Sequence, residues 1–203
     1  MRERAPADSL VPPPAAEAEP ARPADEAMLT AALGYALSSA AEVGLADLGR
    51  PSACDGWTVA DTLAHLTLSL RCVAVSLASG AVPPDPPPRA GPVTARSLRR
   101  DLGRAVAALG SAAADLRGWR AVAVDGRLLP CRRLVVVGAI EAAVHGWDVH
   151  RARPIPGPLA GRLLAELPSV LDRGTRRGLF AEPVTLPPGR PPGERLLAAL
   201  GRG

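Results

Sequence analysis

The apolar part of this sequence is built almost entirely from alanine, leucine and valine. Apolar residues make up 47% of the chain but aromatic residues only 2%, with three Trp, one Tyr and one Phe among 203 residues. Leucine and alanine are strong helix formers, whereas β-sheets favour aromatic and β-branched side chains. A core of this kind suits packed helices better than a β-sandwich. We therefore predict an all-α fold, and the length predicts one domain.

Apolar residues recur at helical spacing between Gly- and Pro-rich stretches. Thr58 and Asp61 form a potential capping box at the start of the second helix, and Gly80 ends that helix. Asp125-Gly126 lies between two short apolar runs and predicts a β-hairpin just before the fourth helix. The predicted helices cover about residues 25–45, 58–79, 93–116, 132–152 and 159–173, with a short helix at 194–200 in a Gly- and Pro-rich tail.

Residues 1–24 are rich in Pro, Ala and Glu and include Pro12-Pro13-Pro14. Such a segment cannot bury enough apolar surface to offset the entropy lost on ordering. We expect residues 1–24 to be disordered or polyproline-like, and residues 25–203 to form the helical domain.

The charge and cysteine patterns exclude several classes of protein. The net charge is +4, with 20 acidic residues spread among 24 basic ones, all arginine. Nucleic-acid binding favours a basic stripe with stacking aromatics, so we predict no nucleic-acid partner. The arginines near one face of the third helix are interpreted as a solvated surface; they are Arg96, Arg99, Arg100 and Arg104.

Three cysteines without a CxxC spacing argue against a disulfide framework and a cysteine-rich zinc site. The N-terminus lacks the continuous apolar stretch of a signal peptide, and no uncharged, proline-free apolar run reaches about 18 residues. We predict a cytoplasmic protein that crosses no membrane.

Two short stretches carry metal-capable side chains within apolar, helix-patterned runs. His65 lies in the second predicted helix, while Glu141 and His145 lie in the fourth at i, i+4 spacing. That spacing places both side chains on one helix face, where they can reach a single ion. Together with His65 they form a His₂Glu set, which suits a divalent metal with an open coordination position. The alternative is two core histidines and a salt-bridged glutamate.

Other catalytic motifs are missing. The zinc-peptidase HExxH order is absent, a di-iron bundle needs more carboxylates, and a Ser-His-Asp or Cys-His hydrolase lacks a nucleophile elbow. His150 lies about 180° from Glu141 on the helix and is excluded as a ligand.

Uncharged small polar residues follow His65 along its helix. Within about 60° of it lie Thr58, Thr62, Ser69, Cys72 and Ser76. A solvent-facing stripe in this arginine-rich chain should carry charges, so the stripe predicts a wet internal pocket in which Thr62 and Ser69 contact a cofactor. The alternative is a packing face that tolerates Ser and Thr, and Cys72 is interpreted as packing.

Asp148 lies seven residues after Glu141 and returns close to the same face. It is a candidate catalytic residue, either as a base or as the group that orients a ligand histidine. The alternative is a salt bridge with Arg151 or Arg153.

The stretches from Trp57 to His65 and from Glu141 to Asp148 resemble the mycothiol-dependent maleylpyruvate isomerase N-terminal family of the DinB-like superfamily. The hairpin and the closing segment 195–202 are similar to actinobacterial members of about this length. The resemblance covers about residues 25–203. It implies a DinB-like four-helix bundle holding one metal, usually zinc, on His65, Glu141 and His145. It also implies mycothiol or another low-molecular-weight thiol as cofactor, and pairing into a homodimer by analogy.

Full isomerases of this family carry a further C-terminal domain, whereas this chain has a short tail. The resemblance therefore implies a related reaction, in which a thiol is transferred to a small electrophilic substrate or isomerises it. Two alternatives stay open: a metal-dependent tailoring enzyme that uses no thiol, and a non-catalytic metal or small-molecule binding protein. Arg71, Arg195 and Arg202 are each able to pair with an anionic group, but the sequence does not place them in the fold.

Overall fold

The structure is a computed structural model that describes residues 23–84, 93–116, 121–124, 127–171 and 181–202. These residues form six helices and one two-stranded antiparallel sheet. In chain order the elements are α1 (Pro23–Ala41), α2 (Val59–Ser79), α3 (Ala95–Ala114), β1 (Ala121–Val124), β2 (Arg127–Pro130), α4 (Cys131–Val149), α5 (Gly157–Val170) and α6 (Pro192–Ala199). The predicted all-α class and the hairpin before α4 are confirmed.

Helices α1 to α4 form a bundle in which α1 packs on α3 and α4, and α2 packs on the same two helices. Leucine fills the interior, as the composition predicted. The largest fully buried side chains are all leucine except Met28; among them are Leu63, Leu66 and Leu70 on α2 and Leu98 and Leu102 on α3. Burying leucine contributes about 1.5–3 kcal/mol per side chain, so this layer supplies much of the driving force for folding.

A glycine lets α1 and α4 approach closely beside the candidate metal ligands. A Cβ atom added to Gly146 would lie 3.1 Å from the ring of Tyr35 and 3.2 Å from the Cα of Ala36. Tyr35 in turn donates a hydrogen bond of 2.6 Å to the carbonyl of Arg153, which ties α1 to the chain after α4. Because Gly146 has no side chain, α4 can pack closely on α1, and this close packing sets the position of the adjacent His145.

The capping box predicted at the start of α2 is present in the structure. The backbone of Thr58 donates to Asp61 at 2.9 Å, and the backbone of Asp61 donates to the Thr58 hydroxyl at 3.2 Å. This reciprocal capping box satisfies two backbone groups that the first turn leaves unpaired. At the other end Gly80 adopts the left-handed conformation that closes many helices.

The hairpin pairs Val122 with Leu129 and attaches to the end of α2, because the amide of Ala123 donates to the carbonyl of Gly80 at 2.9 Å. Its predicted Asp125-Gly126 turn lies outside the described residues. The attachment places β1 and β2 over one side of the helix that carries His65.

Several predicted boundaries differ from those observed. Helix α1 begins at Pro23, a residue suited to a first helical turn, and ends at Ala41, ahead of a series of turns in which the amide of Gly44 donates to Asp47. Helix α4 ends at Val149 because His150 leaves helical geometry. The predicted disorder of residues 1–24 concerns residues outside the described part of the chain, apart from Pro23 and Ala24, which are helical.

One of the four arginines assigned to a solvated face of α3 has another role. Arg96, Arg100 and Arg104 are exposed, but Arg99 donates to the carbonyls of Ala41 and Val43 at 3.3 and 2.9 Å. Unpaired carbonyls at a helix C-terminus attract a cation, so Arg99 closes the end of α1.

Among the described residues, α2 is the one helix long and apolar enough to cross a membrane. Half of its most apolar stretch is buried inside the bundle. A core helix of a globular protein has the same length and hydropathy, so this feature is weak evidence for a membrane span.

Candidate metal centre

The centre of the candidate site lies between α2 and α4. His65 projects from the second turn of α2, and Glu141 and His145 project from successive turns of α4. Glu141 Oε2 lies 3.6 Å from Nε2 of His65 and 3.5 Å from Nε2 of His145. One ligand atom from each residue lies within 4.8 Å of the other two. The structure therefore brings the predicted His₂Glu triad together.

The chemistry of this triad fits a divalent cation. Glu141 Oε2 is buried and has no hydrogen-bond partner among the described residues. A buried carboxylate oxygen without a partner costs free energy unless a cation or a donor satisfies it. The two imidazoles meet edge to face, with ring centroids 4.9 Å apart, and their Nε2 atoms face that oxygen. Three such donors match the protein ligands of a catalytic zinc site with an open position.

The charges in the triad are strongly coupled. Burial raises the pKa of Glu141, but the close contacts and charge attraction of His145 and His65 outweigh burial and hold that pKa well below its usual value. Burial lowers the pKa of His145, yet its contacts with Asp148, Cys54 and Glu141 raise it well above the ordinary histidine value. The site thus favours positive charge next to the Glu141 carboxylate, and a bound metal cation supplies such a charge.

Asp148 lies behind His145. Its Oδ2 accepts a hydrogen bond of 2.9 Å from His145 Nδ1, which leaves Nε2 of that ring directed at Glu141. Arg202, from the end of the tail, makes two hydrogen bonds of 2.7 Å to the two oxygens of Asp148. A carboxylate that holds the outer nitrogen of a ligand histidine fixes the ring and its tautomer. On this geometry Asp148 holds the ring of His145 in place.

The salt bridge that the structure shows for Asp148 is with Arg202, whereas Arg151 and Arg153 were the predicted alternatives. Arg153 pairs with Glu42, and Arg151 lies over the ring of Trp147. Asp148 is 1% exposed and lines neither of the cavities described below. Its negative charge is matched by Arg202 instead, and the pKa of Asp148 is lowered because His145 and Arg202 outweigh the effect of burial.

A turn before α2 adds two further side chains to the site. The amide of Ser52 donates to the carbonyl of Trp57, the amide of Trp57 donates to the carbonyl of Cys54, and Gly56 adopts φ +75°. This turn sets the edge of the Trp57 ring against His65, with centroids 4.8 Å apart. It also places Cys54 Sγ 3.3 Å from Asp148 Oδ2 and 3.6 Å from Arg202 Nη2.

Cys54, His145 and Asp148 form a second group of potential metal ligands. The guanidinium of Arg202 contacts both the carboxylate and the sulfur of this group, and His145 offers it Nδ1, which already bonds to Asp148. A second cation at that point would be repelled by Arg202. The triad of His65, Glu141 and His145 is therefore the better metal site.

Two cavities meet at the triad. The first chamber, of about 550 Å³, also has in its wall Cys54, Trp57, His145, Leu167, Leu200 and Arg202. The second chamber, of about 570 Å³, also has in its wall Arg71, Cys72, Ser76, Val82, Leu129 and Leu134. Four residues line both chambers: His65, Ser69, Val137 and Glu141. Two small molecules can thus approach the same ligands from different sides.

Comparisons with known proteins agree with this arrangement. The sequence model of the family described as mycothiol maleylpyruvate isomerase N-terminal domain matches residues 29–150, which is more than half of the chain. The chain belongs to this family. A search of curated proteins gives no match.

The fold of this isomerase-family chain is also found in solved structures. A crystal structure of the mycothiol-dependent maleylpyruvate isomerase is similar with a TM-score of 0.53 and 19% sequence identity, over 70% of this chain and 67% of that one. A variant of that enzyme with one histidine replaced by alanine gives a TM-score of 0.52 with the same identity and coverage. At this identity the likeness establishes the shared DinB-like fold.

The two residues predicted to contact a cofactor, Ser69 and Thr62, differ in whether they line a chamber. Ser69 lines both chambers, and its hydroxyl lies 3.3 Å from Nε2 of His65. Thr62 is fully buried, donates to the carbonyl of Thr58 and lines neither chamber, so the geometry gives no support to a contact between Thr62 and a cofactor. Cys72 and Ser76 line the second chamber, whereas Thr58 serves in the helix cap.

Sequence reasoning missed three residues at this site. These residues are Cys54, Trp57 and Arg202, of which only Arg202 was named as a candidate to pair with an anionic group. The signal available was the proximity of Cys54 and Trp57 to the His65 helix in sequence. For Arg202 the only signal was a charged residue within an apolar closing segment. His150 was excluded, and it pairs with Glu42 instead, at 3.1 Å.

Proposed function

We propose that this protein is a mononuclear metalloenzyme that brings a low-molecular-weight thiol to a small electrophilic substrate and transfers the thiol to it or isomerises it. The observation that carries this proposal is the unpartnered Oε2 of Glu141, which lies between two histidine Nε2 atoms where two chambers meet. Family membership supports the thiol, because the family is described by its mycothiol-dependent isomerase.

His65, Glu141 and His145 would hold the metal, and zinc fits a His₂Glu set best. When bound, the metal would lower the pKa of the thiol and hold the thiolate ready for attack. The remaining residues would orient the metal ligands and line the path to them. Asp148 keeps Nε2 of His145 directed inward, and Ser69 stands at the junction of the chambers.

The apolar walls of the chambers support reaction in a site with little water. Val137 lies at the junction, and the first chamber adds Ile140, Leu167 and Leu200. Charge interactions are stronger where water is excluded, so a thiolate formed here is stabilised mainly by the groups at the triad.

We propose that the substrate is an electrophile other than maleylpyruvate. The family match ends at residue 150, and the solved isomerase matches over 67% of its length. The part of the site contributed by the tail, Arg202 with Leu200, lies beyond the matched segment. We therefore propose a related reaction on another electrophile, in the cytoplasm, where the thiol would be kept reduced.

Isothermal titration calorimetry with mycothiol, or a simpler thiol analogue, tests this proposal on zinc-loaded and chelator-treated protein. Binding is expected only with metal present. Ser69→Leu fills the junction without removing a ligand, so metal content should persist while thiol affinity falls at least about tenfold, equal to about 1.4 kcal/mol. Ser38→Leu, an exposed position on α1, is the matched control and should bind the thiol like the wild type.

Absence of thiol binding by the zinc-loaded wild type would contradict the thiol proposal. It would favour a metal-dependent enzyme that uses no thiol. Tight binding of thiol and electrophile without turnover would instead favour a non-catalytic binding protein.

A further inference from the structure

The second chamber differs from the first in the chemistry of its wall. Away from the four shared residues, its surface is mainly aliphatic, from α2, α4, the hairpin and the segment after α2. Val75, Val82, Leu129 and Leu134 represent these elements. Its volume of about 570 Å³ falls within the range of roughly 300–1,000 Å³ typical of small-molecule sites. An aliphatic wall of this kind selects a ligand with a hydrocarbon body.

Arg71 is the one arginine in that wall. It is exposed, and it makes no ion pair or hydrogen bond with any of the described residues. Some exposed arginines of the chain pair with a nearby acid, as Arg50 does with Asp47 and Arg190 with Glu194, whereas Arg96 and Arg71 have no such pair among the described residues. Arg71 differs from Arg96 in that it lies in the wall of an apolar chamber, where its guanidinium is available to an anionic group of a ligand.

The distance between Arg71 and the triad defines the length of a ligand. Arg71 follows His65 by six residues on α2, which separates the two along the helix axis by about 9 Å. Six residues also turn Arg71 away from His65 around the helix, so a molecule that places its reacting atom at the triad and an anionic group at Arg71 would span at least about 9 Å. Its middle would then lie against the aliphatic wall.

We propose that the second chamber binds the electrophilic substrate, and that this substrate is an apolar carboxylate whose anionic end pairs with Arg71. The thiol then reaches the triad from the first chamber. The assignment of the reacting end rests on the proposed function, whereas the binding of an apolar carboxylate beside Arg71 does not.

The cysteines provide a separate reporter for each chamber. Cys72 lines the second chamber only, Cys54 lines the first only, and Cys131 is buried. Octanoate serves as the probe and 1-octanol as its uncharged match. Alkylation of the zinc-loaded protein by iodoacetamide is followed at each cysteine by peptide mass spectrometry. Saturating octanoate should slow alkylation of Cys72 at least about threefold and leave Cys54 unchanged.

Calorimetry with octanoate tests the role of Arg71. Arg71→Met keeps the aliphatic stem and should weaken octanoate binding about three- to fivefold, the effect of a partly exposed ion pair, with no change for 1-octanol. Arg71→Lys should retain most of the affinity. Arg96→Met removes the same charge from an exposed position on α3 and should bind octanoate like the wild type.

Protection of Cys54 instead of Cys72 would overturn the proposal, as would an Arg71→Met variant that binds octanoate as tightly as the wild type. Binding that disappears on chelation but is indifferent to Arg71 would place the carboxylate on the metal and overturn it too. These results are separate from metal content and thiol affinity. If the thiol calorimetry fails while octanoate binding still depends on Arg71, the proposed function falls and the carboxylate site stands.

Discussion

His145 presents its two ring nitrogens to two different environments. Nδ1 bonds to the buried Asp148, while Nε2 faces the Glu141 carboxylate and the ring of His65. His65 is less constrained, because its side chain is 38% exposed and its neighbours are Ser69 and the edge of Trp57. In the proposed metal site the two histidines would thus contribute differently, His145 as a fixed ligand and His65 as an adjustable ligand at the junction of the chambers.

We expect purified protein to hold about one divalent metal per chain, because three protein ligands with one open position bind a single ion. His65→Ala and His145→Ala should each lose most of the metal while keeping helical circular dichroism. His150→Ala is the matched control, since His150 lies away from the triad and pairs with Glu42. Metal content is measured by elemental analysis after gel filtration. Full occupancy in either triad variant is incompatible with the assignment.

The Asp148–Arg202 pair gives a second prediction at this scale. Arg202→Met removes both hydrogen bonds to Asp148 and leaves a buried carboxylate without its cation, so His145 loses its fixed orientation. Loss of such an outer partner typically lowers metal affinity 10- to 100-fold. Competition with a metal-binding dye measures this, with Arg195→Met, an exposed arginine of the same tail, as control. Equal affinities for the two variants would show that Arg202 does not support the ligand.

At the scale of elements, one arginine links three helices. Arg132, at the start of α4, bonds to Asp25 of α1 at 3.0 Å and to Glu166 of α5 at 2.6 Å. Asp25 is almost fully buried, so this ion pair lies largely inside the protein. Removing one member of a buried ion pair typically destabilises a protein by about 3–5 kcal/mol.

Arg132→Met should therefore lower the free energy of unfolding by about 3 kcal/mol, measured by urea denaturation with circular dichroism. The exposed neighbour Arg133 provides the control, because Arg133→Met should change stability by less than about 0.5 kcal/mol. A similar small change for both variants would mean that the three helices do not depend on the ion pair.

The helices, the hairpin and the triad were predictable because each depends on local pattern. Periodicity identifies a helix, the Thr58–Asp61 spacing identifies its cap, and the i, i+4 spacing of Glu141 and His145 identifies a shared face. The role of Arg202 was not predictable, because it arises from a contact with Asp148, 54 residues away in the sequence. The buried position of Thr62 was missed for a related reason, since spacing places a residue on a face but does not say what covers that face.

At the scale of the whole molecule, the triad lies in the bundle, and the two chambers are enclosed by the bundle together with the hairpin, α5 and the tail, all among the described residues. Deleting residues 1–22 leaves α1 complete from Pro23. Because the composition of this segment disfavours a packed structure, metal content and melting temperature should stay nearly unchanged. Elemental analysis and thermal denaturation of the truncated protein check this. A large fall in either would show that the segment docks on the bundle.

The residues around the metal site come from distant parts of the chain. Cys54 and Arg202, which meet beside His145, are 148 positions apart, and the ligands themselves lie on two helices. An ion that binds this assembly but not the unfolded chain is thermodynamically linked to global folding. At a free metal concentration about 100 times Kd, that linkage adds about 2.7 kcal/mol to the free energy of unfolding. With a metal at the proposed site, the melting temperature of this protein is expected to report free metal concentration, and chelation should lower it by several degrees in the wild type but not in His65→Ala.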